Sequence, residues 1–195
     1  MVLTDVERTR WAAEQVDALQ LPHADGSLAN IVMVDVFHHL ASPARFLDEA
    51  TRTLAGGGRV VMIEPYCSPV STFFYRRFHH ERTDLDADVF AADERSASAP
   101  MESNQALPTL AFYRQRRETL RRWPSLALVE EKRFAFLLYP LSGGFSRRPV
   151  VPHRLFAPLR AVESGLAPLA RLLAFRCLVV LERVAATPPA GSGPG

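Results

Sequence analysis

The sequence is short of lysine, short of cysteine and free of any long uninterrupted apolar run, and each shortage narrows what the chain can be. Lys132 is the single lysine among 23 basic residues, and against 21 acidic ones these leave a formal net charge of +2. That balance is too small to read as a nucleic-acid surface, and the arginines of 114–122 lack the interleaved aromatics such a surface uses. Cys67 and Cys177 lie far apart and match neither a metal-ligand nor a paired-thiol spacing, so a reducing compartment, taken as the cytoplasm, is expected. The most apolar stretch, 166–184, is interrupted by Arg171, Arg176, Glu182 and Arg183, whereas a bilayer span needs about 20 predominantly apolar residues. Asp5, Glu7, Arg8 and Arg10 precede any apolar core of the kind a signal peptide carries, so secretion is not indicated.

What is present is 195 residues, 48% hydrophobic and 23% charged, the size and content of one globular domain. Apolar runs without alternation predict buried strands at 2–5, 16–19, 31–34 and 60–63. Asp5 and Asp35 close the first and third, and Glu64-Pro65 closes the fourth because proline cannot donate to a ladder. Ser42-Pro43 offers an N-cap with proline at the first helical position, and Phe46, Leu47, Ala50 and Leu54 line one face. A helix is therefore expected there, ended by Gly56-Gly57-Gly58 read as a turn. Strand, helix, strand in this order predicts a right-handed parallel crossover.

The segment 66–103 reads as a long connection, with Phe73, Phe74, Tyr75 and Phe78 in one arm and an acidic, alanine-rich second arm, as lids and substrate loops often are. A helix over 107–123 stops at Pro124. A strand over 126–139 follows, with a bend or bulge at Glu130-Glu131-Lys132, and then a Gly143-Gly144 turn. Leu155, Leu159, Val162, Leu166, Leu169 and Leu173 recur at steps of four and three, which predicts one helical stripe packed on the sheet and kinked at Pro158 and Pro168. Residues 177–181 read as a last strand, and 185–195, rich in Pro, Gly and Ser, as a disordered tail.

In order and spacing, residues 16–65 resemble the class I S-adenosylmethionine-dependent methyltransferases, particularly the bacterial enzymes that methylate small molecules, quinone precursors and lipids. Asp17-Ala18-Leu19 with Leu21-Pro22 is similar to the adenine-binding motif. Asp25-Gly26-Ser27, followed by the run from Asn30 through Asp35-Val36-Phe37-His38-His39-Leu40, is similar to the fourth strand and the loop beneath the methionine half of the cofactor. The helix from Phe46, the triple glycine and the run to Pro65 are similar to the next helix, turn and strand. Asp5 stands where the family places an acid for the ribose hydroxyls, a carboxylate accepting from two adjacent hydroxyls.

The resemblance implies an α/β, Rossmann-like methyltransferase sheet, mostly parallel with an antiparallel edge strand. It also implies S-adenosylmethionine as cofactor and methyl transfer to a small-molecule or lipid-like acceptor. Asp5, Asp17, Ala18 and Leu19 are the expected nucleoside contacts, with Val34, Asp35, Val36 and His39 for the methionine half. Glu64, Tyr66 and Tyr75 are expected at the acceptor pocket, with His79 or His80 as base or acceptor-positioning group. His38 and His39 share two expected roles, one lining the site and one capping the next helix. Residues 1–184 divide into a cofactor half (1–65), a substrate arm and helix (66–125) and two last strands with a helical insertion (126–184).

The departure is that no glycine-rich strand-loop-helix precedes Asp5, so the sheet is expected to lack its first strand, which in this family lies between the second and the fourth. The chain reads as an N-terminally truncated, inactive fragment, or else as a catalytically silent methyltransferase-like interaction subunit. A nucleotide-binding oxidoreductase needs a glycine fingerprint that is missing too, and a peripheral membrane protein would use the 155–173 helix, which is also the place for a homodimer contact. His79-His80-Glu81 invites a metal reading, but adjacent residues project in different directions and no third ligand stands at a familiar spacing, so no metal is expected.

Overall fold

The computed structural model describes residues 2–7, 9–10, 12–91, 103–143 and 151–184. The expected tail at 185–195, part of the acidic arm and Gly144 of the expected turn lie outside the described residues.

Strands β1 (Thr4–Asp5) and β2 (Glu14–Gln15) pair in parallel as a small sheet of their own. The pairing falls just before the expected 16–19 run, because Thr4 and Asp5 take Glu14 and Gln15 as partners. The main sheet has the order β3-β4-β6-β5. Strands β3 (Leu28–Val34) and β4 (Leu54–Pro65) are parallel, with Ile31 opposite Val60 and Val34 opposite Ile63. Among the described strands none lies between the small sheet and β3, whose outer edge leaves Val32 and Val34 exposed.

The crossover from β3 to β4 is α1 (Pro43–Thr53), begun as expected by Ser42, whose hydroxyl accepts from the Arg45 N–H. Its stripe buries Phe46, Leu47 and Ala50 against the sheet. The triple glycine does not end this helix. Leu54 is already extended and pairs with Leu28, while Arg59 pairs with Asn30, so residues 55–58 bulge out of the ladder. Gly57 takes a φ of 78°, and a Cβ on Gly58 would sit 2.9 Å from the carbonyl oxygens of Ala29 and Ala55. These glycines let two backbones approach inside a strand. Arg52 of α1 donates to the carbonyls of Leu21 and His23 and pairs with Asp25 at 2.7 Å, which lashes the turn through Gly26 to the helix.

Strand β6 (Arg176–Arg183) runs antiparallel between β4 and β5 (Leu126–Phe134), so three strands share one direction and the opposed one lies toward the β5 side. The expected irregularity near Glu130 is a register shift between Leu128 and Glu130. The helices after β4 are α2 (Pro69–Phe78), α3 (Leu107–Thr109), α4 (Arg116–Arg122), α5 (Leu138–Leu141), α6 (Phe156–Gly165) and α7 (Ala170–Leu173). A π-type turn, Leu110–Arg114, links α3 to α4. Helix α2 replaces the first arm of the expected loop. Its start repeats the Ser-Pro signal of α1, Ser68 and Ser71 forming a reciprocal capping box.

The 155–173 stripe is helical but packs only in its second part, where Leu166 and Leu173 lie partly buried against the core. No residue of α6 is buried, and Leu155, Val162 and Leu169 are exposed. Pro158 breaks nothing because it sits in the first turn of α6, where its missing N–H costs no helical bond, whereas Pro168 lies in the 3₁₀ turn that separates α6 from α7. Among the described residues no helix is long and apolar enough to cross a membrane.

Candidate functional site

Parallel strands that end side by side bring their following residues together, and the C-terminal ends of β3 and β4 do so here. Asp35, at the end of β3, adopts a φ of 55°, and a 3₁₀ turn, Phe37–His39, follows it. Glu64, fully buried near the end of β4, receives the N–H groups of Val36 and Phe37 on Oε1 at 2.9 and 2.7 Å. Its Oε2 meets His38 Nδ1 at 2.7 Å. A single carboxylate thus fixes both the backbone of the turn and the orientation of the imidazole.

The far side of His38 faces Glu81, with Nε2 3.4 Å from Oε2. Three further imidazoles surround the same carboxylate. His39 Nε2 and His80 Nε2 each lie 3.7 Å from Oε1, and His79 Nδ1 lies 3.8 Å from Oε2. Gln105, itself buried, donates to Glu81 Oε2. Asn104 donates its N–H to the His38 carbonyl at 2.9 Å, and its side-chain oxygen accepts from the Asp84 N–H at 3.0 Å, so the segment after α2 is bound to the turn after β3.

Electrostatics follow from this enclosure. Burial by itself lowers the pKa of His38, but the bonds to Glu64 and Glu81 outweigh it and raise it to about 9. Burial raises Glu81, yet the facing histidines, His38 foremost, hold it at about 2. His79 is lowered, chiefly by burial. Cys67 is pushed up to about 12 by burial, which makes it an inert thiol.

The fold gathers some of the expected site residues and not others. His39, His79 and His80 converge on Glu81, a residue that sequence alone did not single out as their meeting point. Glu64, expected to face an acceptor pocket, is enclosed, with both oxygens holding the turn after β3. Tyr75 is likewise buried, its hydroxyl donating to the Phe175 carbonyl, and so lies in the core. Tyr66 is buried edge-on against Tyr113 at 5.0 Å, with the Arg133 guanidinium over its ring. Asp35 pairs with Arg176 at 2.5 Å. Val34 and Val36 are exposed at the strand end, while Ala18 and Leu19 pack against the core. Asp5 and Asp17 stand at and just beyond the C-terminal ends of β1 and β2. Each accepts a nearby backbone N–H on Oδ1, from Glu7 at 2.9 Å and from Leu19 at 2.8 Å. A concavity of ≈ 690 Å³ beside α6, lined by Leu138, His153, Phe156 and Arg160 among others, lies elsewhere and carries no acidic side chain.

The Glu64 contact had a signal in the sequence. A carboxylate closing one buried strand and a histidine pair just past its parallel neighbour are brought to the same end of the sheet, although the direction of each side chain is not written there. The Glu81 contact had none, since two helices and a strand, α1, β4 and α2, lie between it and His39.

Comparison with known proteins gives one family match and a set of distant structural likenesses. The family described as "Methyltransferase domain" matches residues 3–62. No curated protein matches the sequence. Among solved structures, the chain is similar to one of a complex between the Haloferax volcanii Trm112 methyltransferase activator and a methyltransferase, at 16% identity and a TM-score of 0.48, over 93% of this chain and 65% of that one. It is similar to geranyl diphosphate C-methyltransferase of Streptomyces coelicolor, solved with Mg²⁺, geranyl diphosphate and S-adenosyl-L-homocysteine, at 17% identity and a TM-score of 0.46, over 89% of this chain and 54% of that one. A Bacillus halodurans methyltransferase gives 16% identity and a TM-score of 0.45, over 94% and 81% of the two chains. The chain thus spans less than two thirds of the first two. The family match is confined to residues 3–62, the segment that holds β1, β2, β3, α1 and most of β4.

Proposed function

We propose that this chain serves S-adenosylmethionine-dependent methyl transfer to a small-molecule or lipid-like acceptor. The observation that carries the reading is that Asp5, Asp17 and the 34–39 turn each stand at or just beyond the C-terminal end of a parallel strand, the end at which α/β sheets bind ligands.

The residues fit a nucleoside-bearing cofactor. The Asx-type bonds of Asp5 and Asp17 orient each carboxylate through Oδ1, so that Oδ2 can accept from ribose hydroxyls or an adenine amino group. Val34 and Val36 present exposed apolar surface at the end of β3, and Glu64 keeps the turn that carries Asp35, Val36 and His39 in one shape. When bound, the cofactor supplies a methyl group already activated on a sulfonium. The chain's own task is then to hold cofactor and acceptor in line and to exclude water. His79 and His80 border the turn and position the acceptor, and the His38–Glu64 pair beneath them is a rigid floor.

The test is calorimetric titration of S-adenosylhomocysteine into the 195-residue chain and into a version extended upstream in its gene. Binding by either, weakened about tenfold or more by Asp17→Ala through loss of a charge-assisted hydrogen bond, supports the reading. Absence of binding in both overturns it. The catalytically silent interaction subunit would then take first place, a reading that draws on the solvent-facing edge of β3.

A further inference from the structure

We propose that His38, His39 and Glu81 form a binding site for a divalent first-row transition-metal ion, with Glu64 and Gln105 as the groups that orient its ligands. The site stands independently of whether the chain binds S-adenosylmethionine.

The argument begins with His38. Its Nδ1 is 2.7 Å from Glu64 Oε2, and Glu64 is itself fixed by two backbone N–H groups. With Nδ1–H donating to Glu64, the neutral ring that a metal ion would select carries its lone pair on Nε2, toward Glu81. This is the carboxylate–histidine arrangement that aims imidazole ligands at metals and raises their basicity. The orienting carboxylate and the ring are both buried, so the aim does not depend on a mobile side chain.

Spacing is the second observation. One donor atom from each of His38, His39 and Glu81 lies within 4.8 Å of the others. The separations from Glu81 to His38 and His39, 3.4 and 3.7 Å, are long for charge-assisted hydrogen bonds, which run about 2.7–2.9 Å. They resemble the distances between neighbouring ligands of one ion, since donors about 2.0–2.2 Å from a tetrahedral metal sit about 3.4 Å apart. Gln105 donates to Glu81 from the side and steadies it.

Donor chemistry then selects the ion. Two imidazoles and one carboxylate favour iron, cobalt, nickel or zinc over magnesium or calcium, which prefer all-oxygen sets, and three protein ligands leave positions open for water or another oxygen donor. The neighbouring groups are weaker candidates. His79 Nδ1 already accepts the Glu81 N–H at 3.2 Å, His80 is largely exposed, and Asp35 is paired with Arg176.

The test uses Co²⁺ and Zn²⁺ as probes on the 195-residue chain. Co²⁺ titration read by visible absorption should saturate at one ion per chain, and Zn²⁺ should displace it. His39→Ala and Glu81→Gln should each weaken Co²⁺ binding about tenfold or more with the far-ultraviolet circular dichroism unchanged, while His153→Ala, beside α6, leaves it unaltered. His39 is partly exposed, and the unchanged circular dichroism separates loss of a ligand from loss of the fold. A chain that gives no saturable cobalt spectrum, or one whose affinity is indifferent to both substitutions, overturns the site. Titration with S-adenosylhomocysteine on the same samples reads the methyl-transfer proposal separately.

Discussion

Helices α1 and α6 differ by one residue in length, and both carry apolar side chains at helical spacing, yet one is core and the other is surface. Helix α1 joins two strands that pair in parallel, so the crossover presses its stripe onto the sheet, where Phe46 and Ala50 are wholly buried. Helix α6 lies within the long connection between β5 and β6, which pair antiparallel and so need no crossover to press it onto the sheet. Its link to the rest of the described residues includes a polar one, Glu163 Oε1 accepting from the N–H groups of Phe136 and Leu138 at 2.8 and 2.7 Å. Periodicity foretells a helix; only the connections on either side foretell what the helix lies against.

The sharpest break of that contrast is Phe46→Ala, expected to cost about 3–5 kcal/mol in urea unfolding, because the ring leaves a cavity in a close-packed layer. A loss below 1 kcal/mol would mean that α1 is no better anchored than α6. Next is Gly58→Ala, expected to cost about 1–3 kcal/mol, since the new methyl meets two backbone carbonyls that cannot turn aside. Smallest is Val162→Ser on α6, expected to stay within about 0.5 kcal/mol of the parent, with α6 amides exchanging hydrogen well before those of α1. A larger cost would show that the stripe is covered in solution.

The parts of the fold legible in the sequence were those written in local code. Ser42-Pro43 began a helix, Ile31 to Val34 and Val60 to Ile63 were strands, and the two were joined in parallel as their order required. The same Ser-Pro code at Ser68 was obscured by the aromatic run behind it, which read as a substrate loop. Gly56 to Gly58 carried two meanings, a helix stop or a strand bulge, and only the pairing of Asn30 with Arg59 decides between them. In the site, Asp5 and Asp35 were legible as strand-end acids, whereas Asp17 was singled out only through the resemblance, since the sequence placed it inside a strand expected at 16–19. Glu64 was visible as a strand end but not as an inward anchor, because the direction of a side chain at the last position of a strand depends on what covers it. Glu81 was legible only as the acid beside His79 and His80; its meeting with His38 was not, since that comes through tertiary contact alone.

The position of β6 also governs when the sheet can exist. Strand β5 finds its described partner only in β6, and β6 reaches β4 by pairing Arg59 with Glu182, more than a hundred residues away. On a ribosome, β4 therefore emerges with one side uncovered, and β5 follows with nothing to pair against, until the chain has been made past residue 183. The last element synthesised among those described is the one that welds the two halves. Until it arrives, two apolar strands must be kept from finding other company.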